Sequence, residues 1–364
     1  FADAMNTQNK LGMTLNNTIG GDLFTLPTSN ALAYSSNGGT GAISASVIPG
    51  SGSDITPNDL YVEFTSANTY DVYLLDGDTK TPLMSGSTPP ATADVVSTSG
   101  VKYGLQLTIS GSPSTNDKFL LQPTKDAAKG LNAEVTRAED LALASPLQLN
   151  AKANNYGSAE ISLVGVYNTD TTTSLFTSNG LDPAAPHKVV INSTGDYDIY
   201  DGNAPSTLIG TAAASTNGVN LLANAKLAGV NVYADPTVYP GFELSIDGSV
   251  TASDEFYIAF NTNGFSDNKN GLALASLQTS DLVRKGNSTA ADNKMTFSEA
   301  FSATLTDVGT TVSSLKTSTS AADAKLTQSQ ELYESVAGVN LDEEASNLLR
   351  YQQAYAASAQ VITT

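Results

Sequence analysis

The sequence predicts a multidomain α and β protein: an elongated, coiled-coil-like helical bundle formed from both chain ends, plus two antiparallel β-sandwich or barrel-like modules. Three observations carry this expectation. From about residue 38 to 270, apolar and polar residues alternate with the period of a half-buried strand. Within that stretch the pattern occurs twice. After Gly271 the apolar spacing becomes helical and settles into heptads.

Residues 1–35 open with FADAMNTQNKLG, where Phe1, Ala4, Met5, Gln8 and Leu11 recur at helical spacing, and Gly12 and GGDLFTLP stop the helix. In the alternating region, GLQLTIS places Leu105, Leu107 and Ile109 on one face, and GFELSID does the same with Phe242, Leu244 and Ile246. Asp76-Gly77, Ser110-Gly111, Asp201-Gly202 and Asp247-Gly248 are turn dipeptides between such runs. TYDVYLLDG resembles DYDIYDG, and YGLQLTISGSPSTNDKFLLQP aligns with PGFELSIDGSVTASDEFYIAF, matching Gly104 to Gly241, Ile109 to Ile246 and Phe119 to Phe256. Two copies are too few for a solenoid, so each is expected to carry its own core. The segment Leu131–Leu149 links them and is expected to hold a short helix.

The helical end begins with TFSE, Thr296 to Glu299, a capping box in which hydroxyl and carboxylate satisfy backbone N–H groups reciprocally. Phe301, Leu305, Val308, Val312, Leu315, Thr319, Ala322, Leu326, Ser329, Tyr333 and Val336 keep a 4-3 spacing, a coiled-coil seam with two polar lapses. Gly338 ends it, and Asn340 caps the next helix, whose first turn holds Asp342, Glu343 and Glu344. Leu341, Ala345, Leu348, Leu349, Gln352, Tyr355, Ala356 and Ala359 form its stripe, and the tight turn predicts an antiparallel hairpin. The resulting division is a helical segment at 1–35 packing with a coiled-coil hairpin at 272–364, a first β-module at 36–145 and a second at 146–271.

Composition excludes several function classes. A formal charge of −19 leaves no basic footprint for nucleic acid. No run of 18 apolar residues exists to form a membrane-spanning helix. Without cysteine, disulfide frameworks, thiolate metal sites and Cys nucleophiles are ruled out. The chain opens at Phe1 with no initiator Met or signal-peptide pattern, and its last helix lacks a stop signal, so an internal fragment is expected.

Catalysis finds no constellation, and neither a cofactor nor a metal is expected. The single histidine, His187 in DPAAPHKVV, has no second His or Cys to work with and reads as a strand-edge residue. Asp76, Asp78, Asp196 and Asp198 sit in turns where such side chains bond their own backbone. FSDNKNGLAL lacks the spaced acids and bidentate Glu of a calcium loop and reads as Asn-Gly turn punctuation before a helix. Tyr70, Tyr73, Tyr197 and Tyr200 occur in matching copies; strand packing is the simpler account, and sugar stacking the sharper one.

The closing stretch GVNLDEEASNLLRYQQAYAASAQVI resembles the C-terminal signature of the flagellar hook-associated protein 1 family, the hook–filament junction proteins. FADAMNTQNKLG followed by GGDLF, NDKFLLQPTKDAAKGL, and SDNKNGLALASLQT resemble the same family's patterns in the same order. Hook and distal rod proteins share a looser relative of the closing motif. Shorter family members have one β-module between the LQPTKDAAKGL-type and SDNKNG-type stretches, so the second copy here is an insertion and carries no family-derived role.

The resemblance implies a non-enzymatic structural subunit of the extracellular bacterial flagellum, exported unfolded through the type III apparatus and seated between hook and filament. It implies as partners other copies of itself, the hook protein, the next hook-associated protein of the axis, and an export chaperone on a missing C-terminal helix. The residues expected to carry helical packing and assembly are Phe301, Leu305, Val308, Val312, Leu315, Leu326, Leu341, Leu348, Leu349 and Tyr355. Two other readings stay open: a secreted adhesin or polysaccharide-binding protein with duplicated β-modules, and a flagellar hook or distal rod component. The fragment alone is expected to be monomeric. Leu305→Asp or Leu315→Asp is expected to melt the helices by burying a charge.

Overall fold

The computed structural model describes residues 1–88, 92–125, 127–286, 293–338 and 340–363. Its chain forms two compact units, Phe1–Ala300 and Phe301–Thr364. The first helix, α1 (Ala2–Lys10), forms where expected, but a different face is buried. Asp3, Asn6 and Asn9 are its buried residues, whereas Phe1 is exposed and Ala4, Met5, Gln8 and Leu11 are only half-buried. A polar face packs inward because it faces irregular backbone, which needs hydrogen-bond partners more than apolar cover.

The first β region begins where Ser29–Asn30 and Leu32–Ala33 enter two different sheets. It continues with β1 (Ala42–Val47), β2 (Asp59–Ser66), β3 (Thr69–Asp76), β4 (Thr79–Ser87), β5 (Thr92–Val96), β6 (Lys102–Ser110) and β7 (Lys118–Leu121). One sheet runs Ser29–Asn30, β1, β6, β5, and the other Leu32–Ala33, β7, β2, β3, β4, with every pairing antiparallel. Their inner faces share one apolar cluster that includes Phe64, Tyr70, Val72, Leu107 and Phe119, as strand alternation dictates.

Between the β regions the expected linker helix is reduced to one 3₁₀ turn, Ala138–Asp140, beside the Arg137–Asp140 ion pair at 2.7 Å. The second region comprises β8 (Leu147–Ala151), β9 (Glu160–Val166), β10 (Pro186–Ile191), β11 (Tyr197–Asp201), β12 (Leu208–Ala212), the short helix α2 (Leu221–Asn224), β13 (Phe242–Asp247) and β14 (Glu255–Phe260). The large sheet runs β8, β14, β10, β11, β12 and then the hairpin Lys226–Leu227/Val230–Asn231, while β9 and β13 pair apart from it. Its cluster, centred on Val189, Ile199, Phe242, Leu244 and Phe256, shares no residue with the first. Among the described residues no sheet closes on itself, so the barrel-like option is corrected to open antiparallel sheets.

The two regions repeat each other pair by pair. Ile43 faces Ile109 as Ile161 faces Ile246, and Val62 sits between Val72 and Phe119 as Val189 sits between Ile199 and Phe256. Gly104 and Gly241 both take positive φ, +65° and +100°, and an added Cβ would strike the carbonyl oxygen of Ser51 or Asn168. One side-chain device also recurs. The Asp117 carboxylate, 1% exposed, accepts the N–H groups of Gly38, Gly39 and Ser114, while Asp254, also 1% exposed, accepts those of Tyr156, Gly157 and Thr251. Beside each, an asparagine brackets one residue of the next strand. The Asn37 Oδ1 accepts from Lys118 N–H and its Nδ2 donates to Lys118 C=O; Asn155 does the same with Glu255.

The copies diverge where β5 gives way to α2. Glu243 of β13, 5% exposed, accepts the N–H groups of Leu222, Ala223 and Leu244. Burial pushes its carboxyl above the ordinary glutamate range even though those N–H groups pull the other way. The ionised form therefore costs stability above the unfolded glutamate value, and acidification from the raised folded value toward it relieves that cost. Glu243→Gln is expected to remove this stabilisation on acidification. A pH series of urea midpoints from 7 down to about 4.5 checks it, and a profile unchanged in shape would refute it.

Candidate assembly interface

The chain end forms two helices, α4 (Phe297–Ala337) and α5 (Leu341–Thr363), following a two-strand hairpin, Val283–Arg284 with Lys294–Met295. The capping box is made as its sequence requires: Thr296 N–H donates to Glu299 Oε2 at 2.9 Å, and Glu299 N–H donates to Thr296 Oγ1 at 3.2 Å. Those bonds also hold the Glu299 carboxyl below its ordinary range. Asn340 Oδ1 accepts Asp342 N–H at 3.1 Å and starts α5; Val339 and Thr364 lie outside the described residues.

Neither stripe is buried. Phe301, Leu305, Val308, Val312, Leu315 and Leu326 on α4 are exposed, as are Leu341, Leu348, Leu349 and Tyr355 on α5. The hairpin core that the heptads led one to expect is thus not formed in the single chain. Seam positions flanked by Ser, Thr and Asp offer only a narrow apolar strip, too little for the helix to bury by itself. With Leu305 63% exposed and Leu315 62% exposed, an aspartate there meets water, so the expected melting of the helices is corrected. Leu305→Asp should leave the far-UV circular dichroism of the isolated chain unchanged.

The hairpin that precedes α4 is held within the first unit by polar contacts. Arg284 is buried, donates from Nη1 to Asp54 C=O at 2.8 Å, and lies 4.9 Å from the Tyr103 ring centre. Lys294 Nζ donates to Ser53 Oγ at 2.8 Å and pairs with Asp54 at 3.2 Å. Phe1 packs between Phe24 and Phe297, with ring centres 5.8 and 5.4 Å away.

Segments far apart in sequence meet along α1. Asp3 accepts the N–H groups of Gly50 and Gly52 at 2.9 and 2.7 Å. Asn6 Oδ1 accepts those of Leu23 and Phe24, and its Nδ2 donates to Phe24 C=O. Asn9 accepts Ala142 N–H and donates to Gly21 C=O. From α3 (Lys269–Ser276), buried Asn270 donates to the carbonyls of Gln8 and Ala142 and accepts from Gln8 Nε2. Asn270-Gly271 was expected as turn punctuation; it lies instead in the first turn of α3 because its amide is needed here. Asn6, Asn9 and Asn270 were not singled out from the sequence, although their shared signal, short amides at Gly-rich segments, is present.

Other expected positions resolve simply. His187 Nδ1 meets Ala185 C=O at 2.8 Å within a strand. Tyr70 and Tyr197 are buried in the two apolar clusters, so neither ring is free to stack on a sugar. Among the described residues no group of acids and histidine converges as a metal site, and no helix is long and apolar enough to cross a membrane.

Two long terminal helices with exposed apolar stripes, in a chain otherwise built of open antiparallel sheets, define the class: a mixed α and β protein with a helical end whose apolar residues are left uncovered in the single chain. The comparisons place the likeness among flagellar axial proteins. Residues 330–364 match the family model described as flagellar basal body rod FlgEFG protein C-terminal. The chain is similar to flagellar hook-associated protein 1, at 37% identity over 131 residues to that of Escherichia coli K12 and 46% over 101 residues to that of Salmonella typhimurium. These alignments cover 35% and 28% of the chain but only 23% and 17% of the relatives. The flagellar hook junction protein FlgK from Burkholderia pseudomallei shares the fold, with a TM-score of 0.64 and 23% identity over 91% of this chain and 57% of that one. The resemblance read from the sequence is thereby borne out.

Proposed function

We propose that this chain is part of a structural subunit of the bacterial flagellum that sits at the hook–filament junction as an adaptor. The observation that carries the reading is the pair of exposed stripes on α4 and α5, within which the flagellar family match falls. Buried in an assembly, each large apolar side chain would contribute about 1.5–3 kcal/mol, which supports Phe301, Leu305, Val308, Val312, Leu315, Leu326, Leu341, Leu348, Leu349 and Tyr355 as assembly residues. In this reading the axial part comprises 1–35 and 272–364, and the β-modules 36–145 and 146–271 face solvent as two copies of one unit. Partners are further copies of the subunit, the hook protein, the next hook-associated protein and an export chaperone. The role is mechanical rather than catalytic.

Deleting the parent gene tests the proposal directly. Electron microscopy is expected to show hooks without filaments, with flagellin shed into the medium. Normal flagella would refute the reading, and loss of hooks as well would move it to a hook or rod component. Complementation with Leu305→Asp or Leu348→Asp is expected to restore export but not filaments, since an aspartate on the stripe harms assembly and not the monomer.

A further inference from the structure

The matching β copies differ at one edge. Leu32 faces Leu120 and Ala33 faces Phe119 in the first copy, as Asn150 faces Tyr257 and Ala151 faces Phe256 in the second. Just upstream, Ser29 and Asn30 cross to the other sheet and pair with Ala45 and Ser44 of β1, and Ala31 N–H donates to Ile43 C=O at 2.8 Å. Their counterparts Leu147–Leu149 do not cross; they stay on β14 opposite Phe260, Ala259 and Ile258. The edge of β9 that corresponds to the covered edge of β1 therefore carries no strand among the described residues.

That edge is oriented to receive one. On the partner strand, Leu244 N–H goes to the Glu243 carboxylate and Ile246 N–H to Gly218 C=O, both away from β9. Ile161 and Leu163 lie opposite those residues, so their own N–H and C=O groups point outward from the ladder. In front of them is a slot of about 360 Å³ between β8 and β9, lined by the apolar Leu149, Ile161 and Leu163 and by Gln148, Asp267 and Lys269. A bulge after Leu163 ends the straight edge.

We propose that this edge docks an extended strand of a partner polypeptide, added antiparallel to Glu160–Leu163 through backbone hydrogen bonds. The first copy shows the chemistry of the occupant, because Ser29-Asn30-Ala31 fills the same position there: a short, uncharged segment of small residues. The apolar floor of Leu149, Ile161 and Leu163 favours the same composition.

Residue-resolved amide hydrogen exchange on the full chain tests this. Ile161 and Leu163 are expected to exchange at least about 100-fold faster than Ile43 and Ala45, which are paired. Equal protection would overturn the open edge. The capped peptide TSNALAYS, Thr28–Ser35 of this chain, at millimolar concentration is expected to slow exchange at Ile161 about ten-fold or more. Leu163→Pro removes an outward N–H and leaves the β9–β13 ladder, so it should abolish that protection while Ser162 stays protected. Absence of peptide protection at Ile161, or persistence of it in Leu163→Pro, would overturn the proposal. Concentration-dependent protection without peptide would assign the edge to a second copy and overturn the partner strand.

Discussion

Asp254→Ala is expected to unfold the second β region well before the first. Its carboxylate, 1% exposed, is the acceptor for three backbone N–H groups, and alanine leaves all three without it. At about 1 kcal/mol or more for each unsatisfied buried donor, the loss is about 3 kcal/mol. Urea unfolding followed by hydrogen exchange should show the cluster around Val189 and Phe256 opening at lower denaturant, with the cluster around Val62 and Phe119 unaffected. Asp254→Asn, which keeps one acceptor oxygen, should lose less. Coincident opening of both clusters would show that the copies do not fold as separate units. Asp117→Ala should act in the same sense on the first copy, whose carboxyl is held below its ordinary range by the N–H groups of Ser114, Gly38 and Gly39. Such a group stabilises the fold above the ordinary carboxylate pKa, and that contribution is lost as pH falls through its lowered folded value.

Asn6→Ala should have the second large effect, in a different place. It removes two acceptances, from Leu23 and Phe24, and one donation, to Phe24 C=O, so about 3 kcal/mol of local stability is at stake. Neither apolar cluster includes a residue of α1. The expected outcome is proteolytic cleavage near residues 20–24 with both β regions still resistant. Loss of resistance throughout would mean that α1 is needed for the β regions themselves.

Much of this architecture was legible because it rests on local pattern. Strand alternation placed Leu105, Leu107, Phe242 and Leu244 inward, and all four are buried. The gap-free match of Gly104 to Gly241 named two positions with the same backbone conformation against the same kind of neighbour. Less visible was the upstream match of NGGTGAIS to NYGSAEIS, which sets Asn37, Gly39 and Ile43 against Asn155, Gly157 and Ile161. Loops of different length between the two matched blocks hid it. The Asp117 and Asp254 clamps stayed hidden too, because each joins parts of the chain about 80 to 100 residues apart.

By itself, the sequence determined the apolar face of the strands, the two helix caps and the apolar stripes of the chain end, but not that Glu243 and Ser245 on the other face of β13 would be buried as well. Each depends on residues within one or two turns or on periodic spacing, which chain order preserves. Only the tertiary structure decided that α1 buries Asp3, Asn6 and Asn9 rather than its apolar residues, and that the stripes of α4 and α5 stay open. It alone distinguished the filled edge of β1 from the open edge of β9. Those outcomes depend on which distant backbone groups lack a partner, and hydrogen-bond satisfaction across a fold has no period for a sequence to display.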